Sequence, residues 1–268
     1  FLTDRSQALA IGKLGHDVFR RLGESKIPTF AFINGLALGG GLEVGLHCHY
    51  RTLSSTAFTA LPEVFLGLVP GWGGATILPK LIGPERAVQI IMLNAINNNT
   101  MMKAKDALKL GVADAIFDPA DFLERSIGFA VGVLNGTTKI ERADYSNDPG
   151  WDTALATGKA AALKKYGGAT IASPMKALEL IAAARSNTLS QGFDAEDQVL
   201  SDLTMSDTLR SSLYAFNVIQ KKRKKVEGAP KPALARKVTK VGVVGAGLMA
   251  SQLALLMVRN LKCPVVMT

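Results

Sequence analysis

The sequence predicts an α/β protein, on three observations. A strand-like run ending at Ile33 leads through a glycine cluster into a helix. Helical patterns separated by short strand-like stretches fill the rest of residues 1–222. A second strand, glycine turn and helix open at residue 238. The chain has 268 residues, 48% of them apolar, which allows one large domain with a sizeable core and part of another. No internal repeat or low-complexity tract is evident beyond an alanine enrichment at 154–162.

Gln7 to Leu22 is predicted helical, with Leu9, Leu14, Val18, Phe19 and Leu22 on a broad apolar face. Lys26 to Ile33 reads as a buried strand, rich in β-favouring Ile27, Phe30, Phe32 and Ile33, with Pro28 near its start. Gly39, Gly40 and Gly41 permit a sharp turn and close approach to a ligand. A helix then begins through Glu43, Val44, Leu46 and His47. Glu63 falls on an irregular segment ahead of Gly71-Trp72-Gly73-Gly74, with a helix from near Ala75. Pro84-Glu85 opens a helix to Met92. Thr100 is the expected cap of a helix running to Leu110 and ended by Gly111. A short strand at Val112–Phe117 and a helix at Asp118–Leu134 follow, and Tyr145–Gly168 is expected to be partly helical. Ser173 as cap and Pro174 in the first turn start a helix to Arg185, and Asp194–Met205 and Asp207–Gln220 are two more.

Two carboxylates carry the chemistry. First-turn N–H groups of a helix lack intrahelical partners, and with the helix dipole they favour negative charge. Gly40 and Glu43 are three residues apart and share a helix face. An oxygen held by the Gly40 N–H would therefore lie near the Glu43 carboxylate. Two carboxylates facing one site cannot both ionise freely, so Glu43 and Glu63 can divide acid and base roles. Taken alone, the glycine triplet equally serves to pack a helix on a strand. The Gly71–Gly74 loop either offers an N–H to a bound water or is a plain turn.

The stretch from Lys26 to about Gly111 resembles an enoyl-CoA hydratase of the crotonase superfamily. The resemblance rests on the strand, the run Asn34-Gly35-Leu36-Ala37-Leu38-Gly39-Gly40-Gly41-Leu42-Glu43, the run Pro62-Glu63-Val64-Phe65-Leu66-Gly67-Leu68-Val69-Pro70-Gly71, and their spacing. It implies a spiral of ββα units with C-terminal helices, Gly40 as one of two oxyanion-hole donors, Glu43 and Glu63 as the catalytic pair, and Gly71 as the residue orienting the water. It also implies an acyl-CoA substrate, no cofactor for hydration, Glu63 as the acid that protonates carbon and Glu43 as the group activating water. The residues themselves leave the last assignment open. Both acids together favour hydration over isomerisation or other enolate chemistry, which stays as the alternative on the same fold. Trp72 departs from the small residue usual at its place, so it either contacts substrate or packs on the neighbouring helix. Phe193, Phe216, Met175 and Met205 either line an acyl tunnel or are ordinary core.

Val238–Val244 reads as a buried parallel strand, followed by Gly245-Ala246-Gly247-Leu248-Met249-Ala250, a helix and a second strand at Pro264–Met267. This is a dinucleotide-binding pattern with Gly245, Gly247 and Ala250 at its three small positions, and it points to the first β-α-β of a Rossmann domain binding NAD. The ribose-gripping acid is expected just beyond Thr268. The order of hydratase, linker and NAD-binding start resembles the α subunit of the fatty acid β-oxidation multienzyme complex. That resemblance implies a 3-hydroxyacyl-CoA dehydrogenase in the second domain and a separate thiolase β subunit as partner. The expected organisation is a hydratase domain at 1–222, a basic linker at 223–237 and a truncated NAD-binding domain at 238–268. The chain is expected to be a fragment, with the other oxyanion donor upstream of its first residue.

Cys48 and Cys263 are too few and too far apart for a disulfide framework. His47 and His49 flank Cys48, but alternate helix residues diverge, so no metal site is expected. With no signal peptide and no bilayer-length apolar stretch, no membrane span is expected. The sparse cysteines favour the cytoplasm, with an organellar location left open. Net charge is +9, but residues 221–240 hold nine Lys and Arg against one Glu, so +8 of it sits in one Gly- and Pro-containing segment. That reads as a solvated connector, with no nucleic acid as partner; a non-enzymatic binding module built on the basic segment is the weaker alternative.

Overall fold

The structure, a computed structural model, describes residues 4–219, 228 and 232–268. The chain divides into two compact units, Phe1–Asn217 and Val218–Thr268. The basic run at 221–227 lies outside the described residues.

The first unit opens with α1 (Arg5–Gly23), capped by the Asp4 carboxylate accepting the Ser6 N–H. Its buried residues are Ala8, Gly12 and His16, whereas Ile11, Leu14 and Val18 are exposed. Of the expected apolar face, Leu9, Phe19 and Leu22 are half-buried, whereas the fully buried line is made mostly of small residues because α1 lies close against a later helix. The strand expected from Lys26 is confined to β1 (Phe30–Ile33), and Ile27 is exposed. Two short sheets follow. Parallel β1, β3 (Tyr50–Ser54) and β6 (Ala115–Phe117) form one, in that order. In the other, β2 (Leu36–Leu38) runs parallel to β4 (Phe58–Ala60), which pairs antiparallel with β5 (Met102–Lys103). Neither three-residue strand of the second sheet, β2 or β4, is apparent from sequence periodicity.

Helices pack around these sheets: α2 (Gly40–His47), α3 (Glu63–Leu66), α4 (Gly74–Ile82), α5 (Pro84–Val88), a π-helical turn at Gln89–Leu93, α6 (Asn94–Ile96) and α7 (Ala104–Leu110). Arg51 on β3 is buried and ties the end of α2 to the segment that leads into β6, donating to the carbonyls of Val112 at 2.8 Å and Cys48 at 2.6 Å. The C-terminal helices of the unit are α8 (Phe122–Leu134), α9 (Trp151–Lys165), α10 (Ala172–Ala184), α11 (Leu189–Thr204) and α12 (Asp207–Asn217). The core runs through Leu78 and Ile82 of α4, Ile90, Ile91 and Met92 of the π turn, Trp151 of α9 and Ile181 of α10.

Several expected boundaries shift for local reasons. Thr100 does not cap α7, since its hydroxyl donates back to the Asn97 carbonyl. Ser173 does not cap α10, since its hydroxyl donates to the Val64 carbonyl and ties α10 to α3. Glu63 lies not on an irregular segment but in the first turn of α3, which Gly67 ends in the left-handed region.

The second unit contains parallel β7 (Val241–Val243) and β8 (Val265–Met267) joined by α13 (Leu248–Leu261). Gly245 turns the chain with φ +109°, and Gly247 caps α13. Among the described residues no helix is long and apolar enough to cross a membrane.

Candidate active site

Strand register brings Glu43 and Glu63 together. β2 and β4 are parallel neighbours with Leu38 opposite Ala60, so the segments leaving their C-terminal ends emerge side by side. The Gly39 N–H extends the pairing by donating to the Ala60 carbonyl at 2.9 Å. From Gly39 the chain enters α2 and delivers Glu43 in the first turn. From Ala60 it passes Leu61 and Pro62 and delivers Glu63 at the start of α3. Gly39 has φ +56° and ψ −128°, a combination open to glycine. A Cβ there would lie 2.6 Å from Glu63 Oε1. The turn therefore needs glycine both for its backbone and to admit the second carboxylate.

The two glutamates line one cavity of about 250 Å³ with Gly40, Gly71, Trp72 and Leu200. Gly40 and Gly41 open α2, so their N–H groups have no intrahelical acceptor. Glu43 is buried, and its Oε1 accepts the amides of Trp72 at 2.7 Å and Gly74 at 3.0 Å. The Gly71–Gly74 loop thus directs two N–H groups at Glu43. Burial and the charges of Glu63 and Glu196 push the Glu43 pKa well above 4.5, against those two hydrogen bonds. Burial also raises Glu63, to about 7. Its Oε2 is buried without a hydrogen-bond partner among the described residues. Four buried side-chain polar atoms share that condition there, and Glu63 Oε2, Trp72 Nε1 and Glu196 Oε1 are three of them. Two of them, on Glu63 and Trp72, belong to residues that line the cavity.

Trp72 packs on the neighbouring helix, the second of its two expected readings. Its ring packs on Gly15 of α1 and within 3.1 Å of a Cβ position on Gly40, edge-on to Phe19, while it also lines the cavity. Of the four residues read as tunnel lining or core, Phe193 is buried against His16 with ring centroids 4.6 Å apart, Met175 packs against the core, Met205 is half-buried at the end of α11, and Phe216 is exposed. His47, on the other side of the loop, donates from Nε2 to the Trp72 carbonyl at 3.0 Å, and burial lowers its pKa to about 4. No group of three metal-ligating side chains is placed to hold an ion among the described residues.

Sequence reasoning missed Glu196 and His16. Glu196 is fully buried and receives the Gly73 N–H at 2.6 Å. A signal existed: Phe193, Glu196 and Leu200 follow i, i+3, i+7 spacing, which places a carboxylate on the apolar face of a helix.

In the second unit, Gly245 and Gly247 lie in the turn from β7 into α13, and Ala250 lies in the first turn of α13. A Cβ at Gly245 or Gly247 would meet open space, so the turn is accessible to a ligand.

The paired carboxylates at the ends of parallel strands, beside a glycine-opened helix, place this unit in the crotonase class of α/β folds. A carnitinyl-CoA dehydratase from Mycobacterium thermoresistibile has the same fold, with TM-score 0.59 and 19% identity over 86% of this chain and 73% of that one. The family Enoyl-CoA hydratase/isomerase matches residues 3–145, and the chain belongs to it. It is 33% identical over 244 residues to a fatty acid oxidation complex subunit alpha from Idiomarina loihiensis, covering 88% of this chain and 33% of that protein. It is 30% identical over 250 residues to the peroxisomal fatty acid beta-oxidation multifunctional protein MFP2 of Arabidopsis thaliana, covering 91% of this chain and 33% of that one. The chain therefore spans about a third of the length of these relatives.

Proposed function

We propose that the chain hydrates 2-enoyl-CoA thioesters to 3-hydroxyacyl-CoA, with Glu43 and Glu63 as paired acid and base. The observation that carries this reading is the convergence of the two glutamates, from separate elements, on one cavity that Gly40 and Gly71 also line. The thioester oxygen accepts the Gly40 N–H at the positive end of α2, where negative charge grows as water adds to the β-carbon. Losing one such donor typically costs about 2.7–4 kcal/mol of barrier. One glutamate takes the water proton as the hydroxyl bonds to the β-carbon, and the other gives its proton to the α-carbon, so the pair must begin with one proton between them. The raised proton affinity of both carboxylates suits that requirement. In this reading Glu43, with two amides on Oε1, holds and activates the water that Gly71 helps orient, and Glu63 is the carbon acid.

The wider reading has a hydratase domain at 1–222, a basic linker at 223–237 and the opening of a 3-hydroxyacyl-CoA dehydrogenase at 238–268, acting in fatty acid β-oxidation in the cytoplasm with a thiolase β subunit. The multifunctional relatives and the parallel β-α-β around Gly245 support it. The open turn at Gly245 and Gly247, at the N-terminus of α13, fits the pyrophosphate of NAD. NAD would supply a hydride acceptor.

Steady-state hydration of a short 2-enoyl-CoA, followed by loss of its conjugated-thioester absorbance, tests the central claim. Glu43→Gln and Glu63→Gln are each expected to lower the rate by about 10²–10⁴-fold. Full activity in either variant refutes the paired mechanism, and double-bond migration without hydration would identify an isomerase instead.

A further inference from the structure

Behind the candidate catalytic loop lies a second, wholly buried charge cluster. His16 of α1 stands between two carboxylates of α11: its Nδ1 is 2.8 Å from Asp197 Oδ1 and its Nε2 is 3.0 Å from Glu196 Oε2. All three side chains are buried, and Phe193 stacks on the imidazole. Both ring nitrogens face carboxylate oxygens, and only an imidazolium can donate from both. Burial opposes that charge, but the hydrogen bonds and charges of Asp197 and Glu196 outweigh it and hold the pKa at about 9. One cation against two anions leaves the cluster one negative charge in excess. Gly12, one turn before His16, makes the approach of α1 feasible, since a Cβ there would lie 2.7 Å from Asp197 Oδ1.

The cluster reaches the Glu43 carboxylate through three consecutive amides. Trp72 and Gly74 donate forward to Glu43, while Gly73 between them donates backward to Glu196 at 2.6 Å. The loop is thus pinned from both sides, and Glu196 is its rear anchor. Glu196 Oε1 has no partner among the described residues, so its charge is only partly offset by hydrogen bonds.

On the hydratase reading above, we infer that Glu196 is a positioning residue, clamped by His16 and Asp197, that holds the Trp72–Gly74 amides on Glu43 and sets the proton affinity of that carboxylate. It touches no reacting atom. The titratable groups around it are His16 from α1, Glu43 and His47 from α2, Glu63 from α3 and Asp197 from α11. His47 is neutral near pH 7, since burial holds its pKa down at about 4. Excess negative charge in this low-dielectric layer favours the protonated form of Glu43.

The test uses the full chain and two isosteric variants, Glu196→Gln and Asp197→Asn. The first keeps an oxygen for the Gly73 amide but removes the charge. Hydration of crotonyl-CoA is measured across pH, and Glu43 is titrated directly by its ¹³C-carboxyl resonance, assigned by its loss in Glu43→Gln. The Glu43 midpoint is expected to move down by about one pH unit in Glu196→Gln and by less in Asp197→Asn. The acidic limb of kcat/KM should follow, and KM should change less than about twofold, as expected for a residue acting on the chemical step. A Glu43 titration unchanged in both folded variants overturns the inference. If the wild-type chain does not hydrate the thioester but the Glu43 resonance still shifts, the hydratase reading fails and the control of Glu43 stands.

Discussion

Glu63 sits where ionisation is costly, and that cost separates a functional carboxylate from a structural one. Burial raises its pKa from 4.5 to about 7, so the folded protein holds this proton more tightly than the unfolded chain. Stability linked to Glu63 is therefore present below pH 4.5 and declines as pH rises through about 7, by on the order of 3 kcal/mol in all. An amide at the same place carries no charge to desolvate. Glu63→Gln is thus expected to melt several degrees higher than wild type at pH 8 and at nearly the same temperature at pH 4.5, while losing hydration. Thermal melts at the two pH values check it, and a variant less stable at pH 8 would mean that Glu63 supports the fold. A gain in stability with a loss of activity is the signature of strain kept for chemistry. The sequence made Glu63 conspicuous through its distance from the glycine turn, but not its environment: the cavity it lines is completed by Ala8 and Ile11 of α1 and Leu200 of α11, residues far away in the chain.

At the scale of elements, the two helices that close the site were the least legible. α11 is expected from the sequence at Asp194 and begins at Leu189. The start is fixed by a capping box. Thr188 Oγ1 accepts the Gln191 N–H at 3.3 Å, and the Gln191 side chain accepts the Thr188 N–H at 2.9 Å. Thr188→Ala is expected to cost about 1 kcal/mol, read as a shifted urea midpoint with unchanged slope. Gly192 is there for space, since a Cβ would collide with Thr76 of α4. Gly192→Ala should therefore destabilise by about 1–3 kcal/mol, although alanine favours helices. Urea unfolding in which it proves neutral or stabilising would show that α4 and α11 can separate freely. α1 gives the same lesson. Periodicity selects Leu9, Leu14, Val18, Phe19 and Leu22, of which Leu14 and Val18 are exposed and the rest half-buried, whereas the fully buried line is Ala8, Gly12 and His16, whose purpose appears only when α11 and its two acids lie against it. The glycine run and the helix after it were readable because backbone chemistry there is local. The pairing of β2 with β4 was not, since strands of three residues carry no usable alternation.

At the scale of the molecule, the two units differ in how far each satisfies its own apolar surface. In the first, Trp151, Leu78, Ile91 and Ile181 are buried in a continuous core, and every lining residue of the candidate active-site cavity belongs to that unit. In the second, β7, α13 and β8 bury little: Val244, Leu248 and Met249 are at least three-quarters exposed, and Ala254 is the single buried residue of α13. The strand–glycine–helix–strand order was legible because each step has a local cause, whereas the scarcity of burial is a property of the assembled unit. A two-stranded sheet with one helix does not remove enough apolar area from water to offset the entropy of ordering its backbone. A chain ending at Asn217 is accordingly expected to keep the cooperative thermal transition of the first unit and the hydration pH profile. A peptide of residues 238–268 alone should give a weak, non-cooperative helical circular dichroism signal and poorly dispersed amide resonances. A sharp melt in that peptide would show that β7, α13 and β8 fold on their own, and lost hydration in the shortened chain would show that the second unit contributes to the first unit's site.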